Sequence, residues 1–263
     1  GSLLALSPGL GKTIVSIVSA QILGVKSVLV VAPLSLLQYW VDELDKWSRP
    51  KVETQICRGS DEPKKECWII TNYDTLSRHS SLYQSSWDLI IVDESILVKS
   101  RSTKRFAAFK RLLPLTRKIW LLSGSPISRY VDDLWSQFHL LEPQSFPSYW
   151  RFAETYCIIE SPPWGKGVVG SKSMDFRHEF RDLMFVRHQE DVLDLPEMLL
   201  ETIDLDLRPE QFRVYQSLTD DFMCMLESTG QMLLTPTKLS QLTRLQQIVS
   251  NLANVEPGMD QSS

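Results

Sequence analysis

Leu3-Leu4-Ala5-Leu6-Ser7-Pro8-Gly9-Leu10-Gly11-Lys12-Thr13-Ile14-Val15 is the stretch that decides the fold. A short apolar run, residues 3–6, breaks into a turn carrying Pro8, Gly9 and Gly11. An amphipathic segment, residues 13–23, follows with Ile14, Val15, Ile17, Val18, Ile22 and Leu23 at helical spacing. Strand, glycine-rich turn and helix in that order is the setting in which backbone amides converge on phosphate groups. The glycines allow close approach, the helix N-terminus adds the positive end of its dipole, Lys12 brings a full charge, and Thr13 offers a hydroxyl to a metal ion. Gly9, Leu10, Gly11, Lys12 and Thr13 are therefore the expected phosphate-binding residues. A plain structural turn is the competing reading of Gly-Lys-Thr, and the flanking strand and helix weigh against it.

Outward from that turn, buried strands alternate with amphipathic helices. Strands are expected at 27–32, 52–57, 67–71, 88–92 and 118–122. Helices are expected around Leu37, Tyr39, Trp40, Leu44 and Trp47, at 103–113 and at 131–141. Such alternation predicts an α/β fold, a mostly parallel sheet with helices on both faces, over residues 1–141. From 142 the texture changes. Pro143, Pro147, Pro162, Pro163, Gly165, Gly167 and Gly170 mark irregular connections between helical pieces at 149–156 and 176–192, so 142–196 reads as a helical extension with a long loop. Residues 197–255 read as a linker, extended at 199–207, followed by helices at 209–227 and 236–254. Residues 256–263 read as a disordered tail.

The 263 residues, 43% of them apolar, suffice for a packed core. No apolar run reaches the roughly 18 to 20 residues of a membrane span. Cys57, Cys67, Cys157 and Cys224 lie far apart without a C-x-x-C pair, which fits a reducing, intracellular compartment better than a disulfide framework or a zinc site. The net charge of −4 argues mildly against indiscriminate adhesion to nucleic acid. Within 99–118, however, Lys99, Arg101, Lys104, Arg105, Lys110, Arg111, Arg117 and Lys118 occur with no acidic residue. That stretch is either a phosphate-facing surface or a solvated helix face.

Two further strings end strands. Asp93-Glu94 closes the apolar run Leu89-Ile90-Ile91-Val92, at the sheet edge where ligands of such folds collect. Asp93 is expected to hold magnesium through water, and Glu94 to orient and deprotonate an attacking water. Ser123-Gly124-Ser125-Pro126 follows the next strand. Its hydroxyls are placed to touch the γ-phosphate or the carboxylates, although alone the string is only a turn.

Taken in order, these strings resemble the first lobe of the SWI/SNF-type DNA translocases, the Snf-two family of helicase superfamily two. The resemblance continues through Ala32-Pro33-Leu34-Ser35-Leu36-Leu37-Gln38-Tyr39-Trp40, Thr71-Asn72-Tyr73-Asp74, Leu134-Trp135-Ser136, Leu141-Glu142-Pro143, the run from Met184 to Pro196, Pro209-Glu210-Gln211, and Leu245-Gln246-Gln247-Ile248. It implies a RecA-like lobe using ATP and magnesium, with Lys12, Asp93 and Glu94 catalytic. It also implies backbone contacts to duplex DNA at Pro33, Leu34, Ser35, Thr71, Asn72 and Tyr73, and coupling through Ser123, Gly124 and Ser125. Ile96 replaces the histidine of D-E-A-H, Leu6-Ser7 an acidic pair, and Ser128-Arg129 a Q-N pair. The loop at 164–171 resembles the fork-remodelling, strand-annealing subgroup. In the family, arginine fingers come from a second lobe and an upstream segment reads adenine. The expectation is thus a monomeric chain, with no membrane partner, that hydrolyses ATP barely until the second lobe is supplied. Another superfamily-two motor, such as an RNA helicase or a restriction motor subunit, and a nucleotide-sensing module that never hydrolyses are the rivals.

Overall fold

The computed structural model describes residues 1–59, 61–162, 165–194, 200–229 and 236–250. The chain divides into two compact units, Gly1–Leu195 and Pro196–Ser263.

The first unit is built on strands β1 (Ser2–Leu6), β2 (Val28–Ala32), β3 (Thr54–Ile56), β4 (Trp68–Asn72), β5 (Leu89–Asp93), β6 (Ile119–Ser123) and β9 (Met184–Arg187), in the spatial order β3-β4-β2-β5-β6-β1-β9. Every pairing is parallel. Parallel strands need crossovers, and these are helices: α1 (Lys12–Ile22), α2 (Leu37–Trp47), α3 (Tyr73–Arg78), α4 (Lys104–Leu112) and α5 (Asp133–Leu141). The period-2 alternation of strand side chains sorts the core into two layers. Val28, Val30, Ile70, Leu89 and Ile91 pack with Ile17 of α1 and Trp40 and Leu44 of α2. On the other face Leu29, Val31, Ile69, Ile90, Val92 and Leu121 pack with Leu76 of α3, Phe109 of α4 and Phe138 of α5. Both faces of the central strands are covered, which is why Val28–Ala32 and Leu89–Asp93 are buried throughout.

The extension departs from its sequence reading in two places. After α6 (Tyr149–Tyr156), strands β7 (Cys157–Glu160) and β8 (Gly167–Ser171) form an antiparallel hairpin with an irregularity at Ile158/Ile159, where a long loop is expected. Pro163 and Trp164, at its tip, lie outside the described residues. The helix expected at 176–192 is instead α7 (Phe176–Glu179), strand β9 and a 3-10 turn, Gln189–Asp191. Phe176, Phe180 and Leu183 do recur at helical spacing, and the first two stack in an aromatic cluster with Phe138, Phe146 and Phe152. Beyond Leu183 the open edge of β1 decides the matter, because its backbone groups require partners. Leu3 N–H donates to Leu183 C=O and Ser7 N–H to Arg187 C=O, and the intervening residues zip into the sheet.

The second unit contains an irregular stretch over 200–208 and helices α8 (Pro209–Thr229) and α9 (Pro236–Ser250). The Gln211 side-chain amide donates to Ile248 C=O at 3.0 Å, tying the two together. The expected tail, 256–263, lies outside the described residues. Among the described residues no helix is long and apolar enough to cross a membrane.

Candidate active site

The loop expected to bind phosphate turns on its glycines. Gly9 and Gly11 have φ of 84° and 73°, a region that a Cβ disfavours. The chain thereby passes from β1 into α1, whose first turn has no side-chain cap and no acidic neighbour, so its amides remain available to an anion. Lys12 Nζ folds back and donates to the Leu6 carbonyl at 3.0 Å.

Strand register places the other residues. Leu4 pairs with Leu122, and Leu122 with Asp93, so the C-terminal ends of β1, β6 and β5 lie side by side. At the usual strand spacing β1 and β5 are about 10 Å apart, a gap that a metal-bound triphosphate bridges. Gly124, just beyond the intervening β6, leans on the loop: a Cβ there would lie 3.2 Å from Pro8 Cδ and 3.6 Å from Lys12 Nζ.

Asp93 is 5% exposed. Its Oδ2 accepts from the Trp40 indole N–H at 2.9 Å and its Oδ1 from the Glu94 amide at 3.0 Å. Burial raises the Asp93 pKa, while Trp40, the Glu94 amide and the charge of Lys12 pull it back. Glu94 is also raised, first by burial and then by the charge of Asp93, with Lys12 opposing. The Lys12 charge acts on both carboxylates, in keeping with a loop and an acidic pair that share one end of the sheet. A glutamate with raised proton affinity is better matched to general-base work near neutrality. Its backbone is unusual too, at φ 52° and ψ 53°. A non-glycine residue held there costs on the order of 1 kcal/mol. The Tyr73 hydroxyl secures it, donating to the Asp93 carbonyl at 2.5 Å and approaching that of Glu94 at 3.3 Å.

Oxygen donors suit magnesium, and the Thr13 hydroxyl and the Asp93 carboxylate, at the start of α1 and the end of β5, are the ones that would supply them. Both Asp93 oxygens already accept a hydrogen bond, which fits a residue that holds the ion through its water shell. The third string joins the two halves. Ser95 Oγ, next to Glu94, donates to Gln137 Oε1 at 2.8 Å, and Gln137 Nε2 donates to the Pro126 carbonyl at 2.8 Å. Ser123, buried, accepts from the Ser125 amide.

The residues expected to face DNA divide. Pro33, Leu34 and Ser35 lie on the 3-10 turn beyond β2, with Leu34 69% exposed. Thr71 and Tyr73 are buried, with the Thr71 hydroxyl donating to Cys57 C=O, while Asn72 Oδ1 caps α3 by accepting from the Asp74 and Thr75 amides. No side chain of Thr71 or Tyr73 can reach a DNA phosphate in this arrangement. The basic stretch 99–118 is likewise partly committed. Arg111 lies 3.9 Å from the centre of the Tyr83 ring and Arg101 4.1 Å from that of Tyr149, and Arg105 pairs with Asp74 at 3.7 Å. Lys104 and Lys110 are exposed.

Sequence reading missed Trp40 as the ligand of a buried carboxylate and Tyr73 as the support of Glu94. The position of Trp40 in the Ala32–Trp40 string was legible, its bond to a residue 53 positions away was not.

A sequence profile described as the SNF2-related domain matches residues 1–253. The chain is 32% identical over 177 residues to the SWI/SNF-related matrix-associated actin-dependent regulator of chromatin subfamily A-like protein 1 of Xenopus tropicalis, covering 66% of this chain and 19% of that protein. It is 30% identical over 220 residues to the DNA annealing helicase and endonuclease ZRANB3 of Mus musculus, covering 76% and 20%. Among solved structures, the SWI2/SNF2 ATPase core of Sulfolobus solfataricus in complex with double-stranded DNA aligns with a TM-score of 0.62 at 27% identity, covering 100% of this chain and 56% of that one. The chain therefore spans about a fifth of these two curated relatives.

Proposed function

Since the chain belongs to the SNF2-related family of helicase-superfamily-two ATPases, we propose that it is the nucleotide-binding lobe of an ATP-driven translocase acting on duplex DNA. The observation that carries this reading is the shared sheet edge: the phosphate loop leaves β1 and Asp93-Glu94 leaves β5 on either side of Gly124, with Lys12 acting on both carboxylates.

In the reaction, the oxygen of a water forms a bond to the γ-phosphorus while the bond from that phosphorus to the bridging oxygen of ADP breaks. Glu94 takes the water's proton, and Lys12 with the loop amides balances charge on the departing and transferred groups. Thr13 and Asp93 would hold magnesium, which would supply further neutralisation of the phosphates. Trp40 and Tyr73 keep the acidic pair in place. DNA is met at Pro33, Leu34 and Ser35, and beside them at Asn72, by contacts to phosphates, so affinity falls with salt and shows little sequence preference. The names of the chromatin and strand-annealing relatives support a remodelling or annealing activity, and the solved core in complex with double-stranded DNA supports a duplex as the track.

Completion needs arginine fingers from a second lobe, worth roughly 10³ to 10⁵ in rate in related phosphoryl transfer. The test is ATPase activity with duplex DNA, for this chain and for a fusion to a second lobe of the family. Turnover is expected to rise by about 10³-fold or more in the fusion and to vanish in its Lys12→Ala and Glu94→Gln variants. Brisk turnover by this chain alone that survives Lys12→Ala overturns the assignment, and stimulation by RNA instead of DNA favours an RNA motor.

A further inference from the structure

Pro8, at the apex of the phosphate loop, is gripped from two directions. Its ring lies against Gly124, where an added Cβ would meet Cδ at 3.2 Å and Cγ at 3.3 Å. Its carbonyl accepts from the Gln189 side-chain amide at 2.6 Å, across 181 residues of sequence. Gln189 is not a loose surface side chain. It opens the 3-10 turn Gln189–Asp191, which is closed by His188 N–H donating to Asp191 Oδ2 at 3.2 Å and by the Leu193 amide donating to Gln189 C=O at 2.8 Å. The turn is carried by β9, whose pairing with β1 runs to Leu6↔Arg187 and is continued by Ser7 N–H donating to Arg187 C=O at 3.1 Å. The ladder thus ends where the loop begins, and Gln189 extends it by one side-chain bond. A Cβ on Gly9 would stand 3.6 Å from Gln189 Nε2, so the amide also borders the first glycine of the loop.

We infer that Gln189 is a positioning residue of the phosphate loop. By holding the Pro8 carbonyl it fixes the peptide that precedes Gly9, and so fixes the direction in which the amides of Gly9, Leu10 and Gly11 point. An unheld Pro8-Gly9 peptide is free to rotate, and a carbonyl turned toward a polyphosphate repels it. The same bond makes the stretch just after β9, the last described part of the first unit, respond to movement of the loop. This rests on the phosphate reading of residues 9–13, but the hold on the loop is measurable without nucleotide.

The experiment compares wild type, Gln189→Ala, Gln189→Glu and Gln189→Lys, with Lys12→Ala as control. Two readouts are taken: amide hydrogen exchange without nucleotide at Leu10, whose N–H donates to the Ser7 carbonyl within the loop, and the affinity for magnesium and fluorescently labelled ATP. A single solvent-accessible hydrogen bond corresponds to roughly three- to tenfold in an equilibrium constant. Gln189→Ala is expected to speed exchange and weaken ATP binding by about that factor, with the thermal midpoint of the nucleotide-free chain lowered by no more than about 5 °C. Gln189→Glu, which loses the donor and adds a negative charge, weakens binding further. Gln189→Lys, which keeps a donor, restores it. Unchanged exchange and unchanged affinity in both Gln189→Ala and Gln189→Glu, while Lys12→Ala loses binding, overturn the inference. If exchange accelerates in Gln189→Ala but wild type binds no nucleotide, the hold on the loop stands and the phosphate reading fails.

Discussion

The stretches that follow β2 and β4 emerge side by side from the same sheet edge, with Ala32 paired to Asn72, yet they have opposite fates. Pro33, Leu34 and Ser35 turn outward. Thr71 and Tyr73 turn inward, and Tyr73 lays its hydroxyl beneath the Asp93-Glu94 backbone. Two segments that resemble DNA-contacting strings of one family therefore carry different physical duties: one offers surface, the other anchors the acidic pair. Position at a ligand-binding edge does not by itself make a side chain a ligand contact.

The largest expected effect that sharpens this contrast is on stability. Tyr73→Ala removes a buried aromatic that packs edge-on against Phe109 and should cost about 3 to 5 kcal/mol in denaturant unfolding. Leu34→Ala should stay within about 0.5 kcal/mol. Equal costs at the two positions break the comparison.

Next is Trp40→Phe, which leaves a buried carboxylate without its indole donor and should cost about 1 to 3 kcal/mol at neutral pH. Its pH dependence has a definite sign. The indole favours the ionised form of Asp93, so the part of the cost due to the lost bond is full above the Asp93 pKa and shrinks as pH falls and the carboxyl protonates, leaving the cost of the lost ring volume. Burial itself acts the other way. Because the folded pKa of Asp93 is raised overall, its net contribution to stability is greatest below the pKa of the unfolded chain and is lost as pH rises through the folded value. A wild-type and Trp40→Phe difference independent of pH would remove Asp93 as the partner that matters.

The smallest effect concerns DNA. Asn72→Asp preserves an N-cap acceptor for α3, so stability should move by less than about 0.5 kcal/mol, while a negative charge is placed at the turn. Ser35→Glu places one on the outward segment. Both should weaken duplex binding at low salt, with Ser35→Glu the stronger, and the differences should shrink as salt rises. Equal or reversed weakening would shift the interface toward the 71–73 turn.

Legibility follows from how local the physics is. The loop glycines, Lys12 and the run Leu89–Asp93 could be read because each states its geometry within a few residues: positive φ, a helix N-terminus, a strand buried on both faces. β9 could not. Phe180, Leu183 and Val186 suit a helix as well as a strand, and the choice fell to the unpaired edge of β1, which no local pattern reveals. Trp40 with Asp93, Ser95 with Gln137, and Pro8 with Gln189 are of the same kind, hydrogen bonds between residues 42 to 181 positions apart.

That remote edge also bears on how the molecule is made. Within the first unit β1 is synthesised before every other strand, but its two neighbours are β6 and β9, the latter ending at Arg187. The strand that launches the loop waits for β6, complete at Ser123, to cover one side, and for β9, near the end of the first unit, to cover the other. Pairings so far apart are slow to form, and an idle apolar strand invites association with other chains. A nascent or prematurely ended product stopping before residue 184 would expose one flank of β1 permanently, making that flank a natural client site for chaperones.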